Sequence, residues 1–267
     1  MTINAGYLQY EVSFGNWQAN ADTIRAMIPE VQDADLLVLP ELAFSGYDFR
    51  DEAELQSLAE PFADGPTRTL LTELAAETNT TLVAGYAESA PEGCYNSSML
   101  VCPDGTAHNY RKIHLFNREQ DVFLPGDKAP AVVETPVGRI GMMICFDWFF
   151  PETARCLALA GAQIIAHPSN LVLPWCQQAM FARSLENAVF TITANRIGTE
   201  ARTDRELTFT GGSQVLGCRG EEFAKAPTDA AHAAMATINP VDADDKAIAE
   251  LNDRFGSRRP EMYAQLK

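Results

Sequence analysis

The fold is decided by the stretch Arg139-Ile140-Gly141-Met142-Met143-Ile144-Cys145-Phe146-Asp147-Trp148-Phe149-Phe150-Pro151, read on through Gly161 to Gln163-Ile164-Ile165-Ala166. Arg139–Ile144 is a short apolar run and reads as a buried strand. Pro151 suits the first turn of a helix, and Gly161 can close it. Gln163–Ala166 reads as the next strand. Strand, helix and strand within about thirty residues form a βαβ unit, which places its two strands parallel in one sheet.

The same alternation extends in both directions and predicts an α/β chain. Ile3–Gln9 reads as a strand. Asn16 caps a helix carrying Trp17, Ala21, Ile24, Ile28 and Val31 at helical spacing, with Pro29 obscuring its end. Asp35–Leu39 is a buried strand running into Pro40-Glu41. Gly65-Pro66 opens a second helix, with Leu70, Leu71, Leu74 and Ala75 on one face. Thr81–Tyr86, Asn96–Cys102 and Ala107–Tyr110 read as strands, the last two joined by the turn Pro103-Asp104-Gly105. That antiparallel unit argues against a purely parallel sheet. Further strands are expected at Val132–Glu134, Val189–Ala194, Ser213–Leu216 and His232–Ile238, with a helix over Cys176–Glu186. No repeat or linker divides the sequence, so residues 1–267 read as a single domain. Its polar tail, from about 247, is expected to be extended or helical, or to contact another subunit.

Composition narrows the function. The 267 residues carry a net charge of −16, with 46% hydrophobic and 21% charged residues. A surface that acidic repels phosphate backbones and anionic lipids, which excludes nucleic acid and membrane surfaces as main partners. No window has enough consecutive apolar residues for a membrane span, and the N-terminus lacks the pattern of a secretion signal. The six cysteines form no Cys-x-x-Cys pair and no zinc-finger spacing. They point to a reduced, cytoplasmic protein and give little support to a metal or redox centre.

Three reactive side-chain types follow directly on strands. Glu41 comes after Leu36–Leu39, Lys112 after the strand ending near Tyr110, and Cys145 after Arg139–Ile144. Carboxyl ends of strands are where open α/β sheets bind ligands. Each residue has a plainer reading. Cys145 could continue the core run Met142-Met143-Ile144. Glu41 could be a helix-terminal or surface acid, and Lys112 one more solvated lysine among the five in the sequence. Taken together, they suffice for chemistry. A free thiol is only about 3% thiolate at pH 7. A neighbouring base can take its proton, and an ammonium with a backbone N–H can hold an oxyanion. Carboxylate, ammonium and thiol are a complete set for acyl transfer from a carbon–nitrogen bond, with no metal or cofactor required.

The sequence resembles the nitrilase superfamily of carbon–nitrogen hydrolases along nearly its whole length. The resemblance rests on Leu39-Pro40-Glu41-Leu42-Ala43-Phe44-Ser45-Gly46-Tyr47, on Tyr110-Arg111-Lys112-Ile113-His114-Leu115-Phe116, and on Gly141–Glu152 around Cys145. Further matches are His167-Pro168-Ser169-Asn170, Arg183–Asn187, Ala194–Gly198 and Arg258–Tyr263. It implies a four-layer α-β-β-α sandwich with two central mixed sheets, a Glu41–Lys112–Cys145 triad and a homodimer. It also implies a second glutamate beside the site, carried onto Glu119, and an oxyanion contact from the backbone N–H of Phe146. Tyr47, Trp148 and Asn170 are expected in the substrate pocket.

The implied reaction is hydrolysis of a small aliphatic amide to acid and ammonia through a Cys145 thioester. The alternatives are a small nitrile, an N-carbamoyl compound or an ω-amide. The last two would want a cation for a carboxylate, for which Arg155, Arg183 and Arg196 are candidates. A protein that keeps the fold without turnover is the rival in a different class; it predicts an unreactive Cys145.

Overall fold

A computed structural model describes residues 1–266. The final residue of the tail, Lys267, lies outside the described residues. The strands are β1 (Ile3–Gln9), β2 (Leu36–Val38), β3 (Thr81–Ala90), β4 (Gly93–Val101), β5 (Ala107–Arg111), β6 (Val132–Thr135), β7 (Gly138–Met142), β8 (Ile164–Pro168) and β9 (Phe190–Ala194). They continue with β10 (Thr199–Glu200), β11 (Leu207–Thr208), β12 (Gln214–Leu216), β13 (Glu222–Lys225), β14 (His232–Ile238), β15 (Ala247–Ala249) and β16 (Asn252–Asp253). The helices are α1 (Trp17–Met27), α2 (Glu52–Leu58), α3 (Pro66–Thr78), α4 (Pro151–Leu159) and α5 (Cys176–Asn187).

Two six-stranded mixed sheets carry the architecture. In the first, the order β14-β1-β2-β3-β4-β5 runs antiparallel, parallel, parallel, antiparallel, antiparallel. The second, β6-β7-β8-β9-β12-β13, repeats that series of directions. Helices occupy matching crossovers: α1 and α3 flank β2, as α4 and α5 flank β8.

Alternation along the strands separates the layers. Ile3, Ala5, Tyr7, Leu36, Val38 and Val83 join the apolar core that includes the second sheet. Their neighbours Leu8, Leu37, Leu39, Leu82 and Ala84 pack against Ile24, Leu70, Leu71 and Leu74 of α1 and α3. The result is helices, sheet, sheet, helices.

Local chemistry explains the element ends. Asn16 accepts from the Ala19 N–H at the start of α1, and Pro29 converts the end of that helix into a 3-10 turn, Ile28–Val31. Gly161 stands at φ +93° just past α4. Gly105, at φ +84°, closes the β4–β5 turn. The structure also departs from expectation. β3 and β4 form a longer hairpin than the apolar pattern indicates, reaching Ala90 and starting at Gly93. The extra length is polar, because Glu88 is buried on ion-pair and hydrogen-bond partners rather than on apolar packing. Helix α2, capped by Asp51, and strand β13 carry little apolar signal of their own. From 247 the tail forms the β15–β16 hairpin and then the 3-10 turns Pro260–Met262 and Ala264–Leu266. Among the described residues, no helix is long and apolar enough to cross a membrane.

Candidate active site

Glu41 leaves β2 through Pro40 into a tight turn. The Gly85 N–H donates to the Pro40 carbonyl, the Ala43 N–H donates to that of Gly85, and Leu42 adopts φ +48°. The missing side chain of Gly85 is what admits this turn. A Cβ there would stand 2.5 Å from Glu41 Cα. Lys112 follows β5, its N–H donating to the Asn96 carbonyl of β4 at 2.8 Å. Glu119 sits in a 3-10 turn, Asn117–Asp121, entered through Asn117 at φ +50°.

These three side chains meet in the interior. Lys112 Nζ donates to Glu41 Oε1 and to Glu119 Oε1, each at 2.7 Å, and the side chains of Lys112 and Glu41 are fully buried. Asn96 Nδ2 also donates to Glu41 Oε1, at 2.7 Å. Glu41 Oε2 is buried and has no partner among the described residues. Glu119 accepts from the Tyr47 hydroxyl at 2.6 Å and from the Phe116 N–H at 3.2 Å.

Cys145 approaches from the other sheet. The chain leaves β7, stays extended through Ile144, and turns at Cys145 with φ +40° into the 3-10 turn Cys145–Phe149. A non-glycine residue held in that region costs roughly 1–3 kcal/mol, and the surroundings must enforce it. Asp147 does so on the N-terminal side. One of its carboxylate oxygens accepts from the Ile144 N–H at 2.9 Å and from the Tyr110 hydroxyl at 2.8 Å. The other faces the N–H and Nδ1 of His114. Asp147 thereby ties the turn bearing Cys145 to the segment bearing Lys112.

Electrostatics favour a neutral thiol at rest. Burial pushes the Cys145 thiol well above its ordinary pKa, Glu41 and Glu119 push it further, and Lys112 opposes them. Burial lowers Lys112, but Glu119, Glu41 and the sulfur outweigh it and hold the ammonium above its usual range. Burial also raises Glu119, with Lys112 acting against it.

A cavity of about 20 Å³ is lined by Cys145, Phe116, Phe146, Trp148, Asn170 and Leu171–Leu173. Trp148 and Asn170 are among its lining residues. Tyr47 does not line this cavity, because its hydroxyl is turned to Glu119. Nor do the three candidate arginines. Arg196 is buried on Glu200 and the Val12 carbonyl, Arg183 holds Glu186 and the Trp148 carbonyl, and Arg155 donates to the Glu186 carbonyl. A larger cavity, about 740 Å³, lies by the free edges of β5 and β6 and contains none of Glu41, Lys112, Glu119 and Cys145. The sequence reading gave Asn96 no functional place, and it carried Asp147, Tyr110 and His114 only within quoted motifs, with no role assigned. Only Asp147 gave a signal there, as an acid inside an otherwise apolar run.

The family model for carbon-nitrogen hydrolases matches residues 4–247. The chain belongs to the nitrilase superfamily. This carbon–nitrogen hydrolase is 41% identical over 263 residues to a nitrilase of Pyrococcus abyssi, covering 98% of this chain and 99% of that protein. It is 37% identical over 210 residues to an (R)-stereoselective amidase of a Pseudomonas species, covering 78% and 74%. Its fold superposes on the crystal structure of a carbon-nitrogen hydrolase from Helicobacter pylori with a TM-score of 0.88, at 26% identity and over 99% and 98% of the two chains. The hydrolase therefore acts on carbon–nitrogen bonds other than peptide bonds.

Proposed function

We propose that this hydrolase converts small aliphatic amides to acid and ammonia through a thioester on Cys145. The observation that carries the reading is the buried Lys112–Glu41–Glu119 cluster whose charges act on the Cys145 thiol, with Glu41 Oε2 buried and without a partner among the described residues while Oε1 is occupied by Lys112 and Asn96. A carboxylate oxygen left free in the same charged interior that keeps the thiol protonated can serve as the base that takes its proton.

In the cycle, Glu41 takes the thiol proton as sulfur bonds to the amide carbon. The former carbonyl oxygen, now negative, is held by the Lys112 ammonium and the Phe146 N–H. Glu41 returns the proton to the leaving nitrogen, the C–N bond breaks, and ammonia departs. A water, deprotonated by Glu41, attacks the thioester. Collapse releases the acid and returns the proton to sulfur. Glu119 keeps Lys112 in place, braced by Tyr47.

The cavity supports a short, uncharged acyl group. Its walls are Phe116, Phe146, Trp148 and Leu171–Leu173, and among the described residues no cation lines it to receive a carboxylate. That disfavours carbamoyl acids and ω-amide acids. The Asn170 amide is buried there with both polar atoms unpartnered, ready to accept from and donate to the substrate amide. A small nitrile is the second reading, favoured by the 41% identity to a nitrilase.

The six cysteines are all free, which suits a reduced cytoplasm. Exposed Leu159, Phe181 and Leu185 on α4 and α5, with Ile248 and Leu251 of the tail, supply apolar surface for a homodimer.

An ammonia-release screen over small amides, nitriles, carbamoyl amino acids and ω-amides tests the substrate. Acetamide-sized amides are expected to rank first, and a charged substrate at the top would overturn the pocket assignment. Cys145→Ala is expected to abolish turnover while leaving the circular dichroism spectrum unchanged. Residual ammonia release by that variant would remove the thioester.

A further inference from the structure

We propose that His167 is a positioning residue that fixes the Cys145–Phe146 peptide plane, and with it the direction of the oxyanion-binding Phe146 N–H. This rests on the thioester reading above and adds to it a residue that never touches substrate.

The argument starts from hydrogen-bond roles. His167, at the end of β8, is fully buried. Its Nε2 lies 2.9 Å from the Cys145 carbonyl oxygen, and its Nδ1 lies 3.1 Å from Thr193 Oγ1 on β9. A carbonyl can only accept, so Nε2 carries the proton. Nδ1 of the neutral ring then accepts from the Thr193 hydroxyl. Burial pulls the ring pKa down to about 4, so this single tautomer persists through the neutral range. Ser169 Oγ, 3.1 Å from Nε2, buttresses the same side of the ring.

The hydrogen-bonded carbonyl belongs to the same planar unit as the Phe146 N–H. In a trans peptide the two point in opposite directions. Drawing the carbonyl inward to His167 therefore turns the N–H outward. That N–H donates to no described protein group. Cys145 is held at φ +40°, a conformation that the surrounding contacts must enforce on both sides of the residue. Asp147 clamps the turn before Cys145, and His167 clamps it after.

Gln and Asn separate this role from bulk packing. The amide nitrogen of Gln reproduces Nε2, whereas that of Asn reproduces Nδ1 and falls short of the carbonyl. His167→Gln is expected to keep kcat within about five-fold of the parent, and His167→Asn to lower it about 100-fold with KM nearly unchanged, the effect of losing one oxyanion donor. Alkylation of Cys145 by iodoacetamide displaces iodide and develops no oxyanion, so its rate is expected to stay within a few-fold in both variants. Both should keep the shape of the kcat–pH profile, because His167 moves no proton.

Equal kcat in the two variants, alkylation falling in step with turnover, or a displaced pH limb would each overturn the proposal. Ring 15N NMR of the unaltered enzyme tests it without any substitution, and the chain has four histidines to assign. A proton on Nδ1 of His167 at pH 7 would overturn it. If instead Cys145→Ala still turned over, the thioester reading would fail, while the tautomer and the alkylation result would stand.

Discussion

Glu41 keeps its two oxygens in different company: one saturated by Lys112 and Asn96, the other bare. Glu41→Gln preserves an oxygen for the saturated side and replaces the bare one with an amide that cannot take a proton. A fall in kcat of about 10²–10⁴ is expected, the usual worth of a general base, with little change in KM. Steady-state ammonia release checks it. A second residue-level consequence concerns acid. His167 titrates near 4 in the fold against an ordinary 6.5, so below about pH 6.5 the unfolded chain binds a proton that the folded chain refuses. Stability from this group is present above pH 6.5 and lost as pH falls toward 4, by about 3 kcal/mol in order of magnitude. Urea unfolding of His167→Gln should therefore show a shallower loss of stability than the parent across that window. Parallel losses would contradict the ring's neutral burial.

At the level of elements, the turn bearing Glu41 depends on β3. A methyl group at Gly85 would press on Glu41 Cα and, at 2.6 Å, on the Leu42 nitrogen. Backbone cannot yield as a side-chain tip can, so Gly85→Ala is expected to cost about 1–3 kcal/mol and to lower kcat at least ten-fold. Thermal melts and rate assays on the same preparation would show both losses. Elements also mark where the sequence was legible. His232–Ile238 and the helix opened by Pro66 announced themselves through apolar spacing and a sharp start. Helix α2 did not, since Leu55 is its one buried side chain, and β13 is an edge strand reading Glu-Phe-Ala-Lys. The end of β3 was obscured because Glu88 is buried on Ser97, Asn109 and Arg111, partners that only the folded sheet supplies. Glu41, Lys112 and Cys145 stood out as reactive types at strand ends. Asn96 did not, because its work is done on a residue 55 positions away, and Asp147 showed only as an acid in an apolar run, its tie to Tyr110 lying 37 positions off.

Across the molecule, Glu41 and Lys112 follow strands of one sheet while Cys145 follows a strand of the other. The sheets meet largely through side chains such as Val38, Val83, Ile165 and Ile192, which have no directional preference, whereas hydrogen bonds fix distances within each sheet. The geometry that the proposed thioester mechanism uses is therefore a measure of how the two slabs are stacked. Gentle heating that lets them slip by a fraction of an ångström would silence the enzyme while every strand remained paired. Ammonia release should fade several degrees before the far-ultraviolet signal does, and an inhibitor bridging the slabs should bring the two curves together.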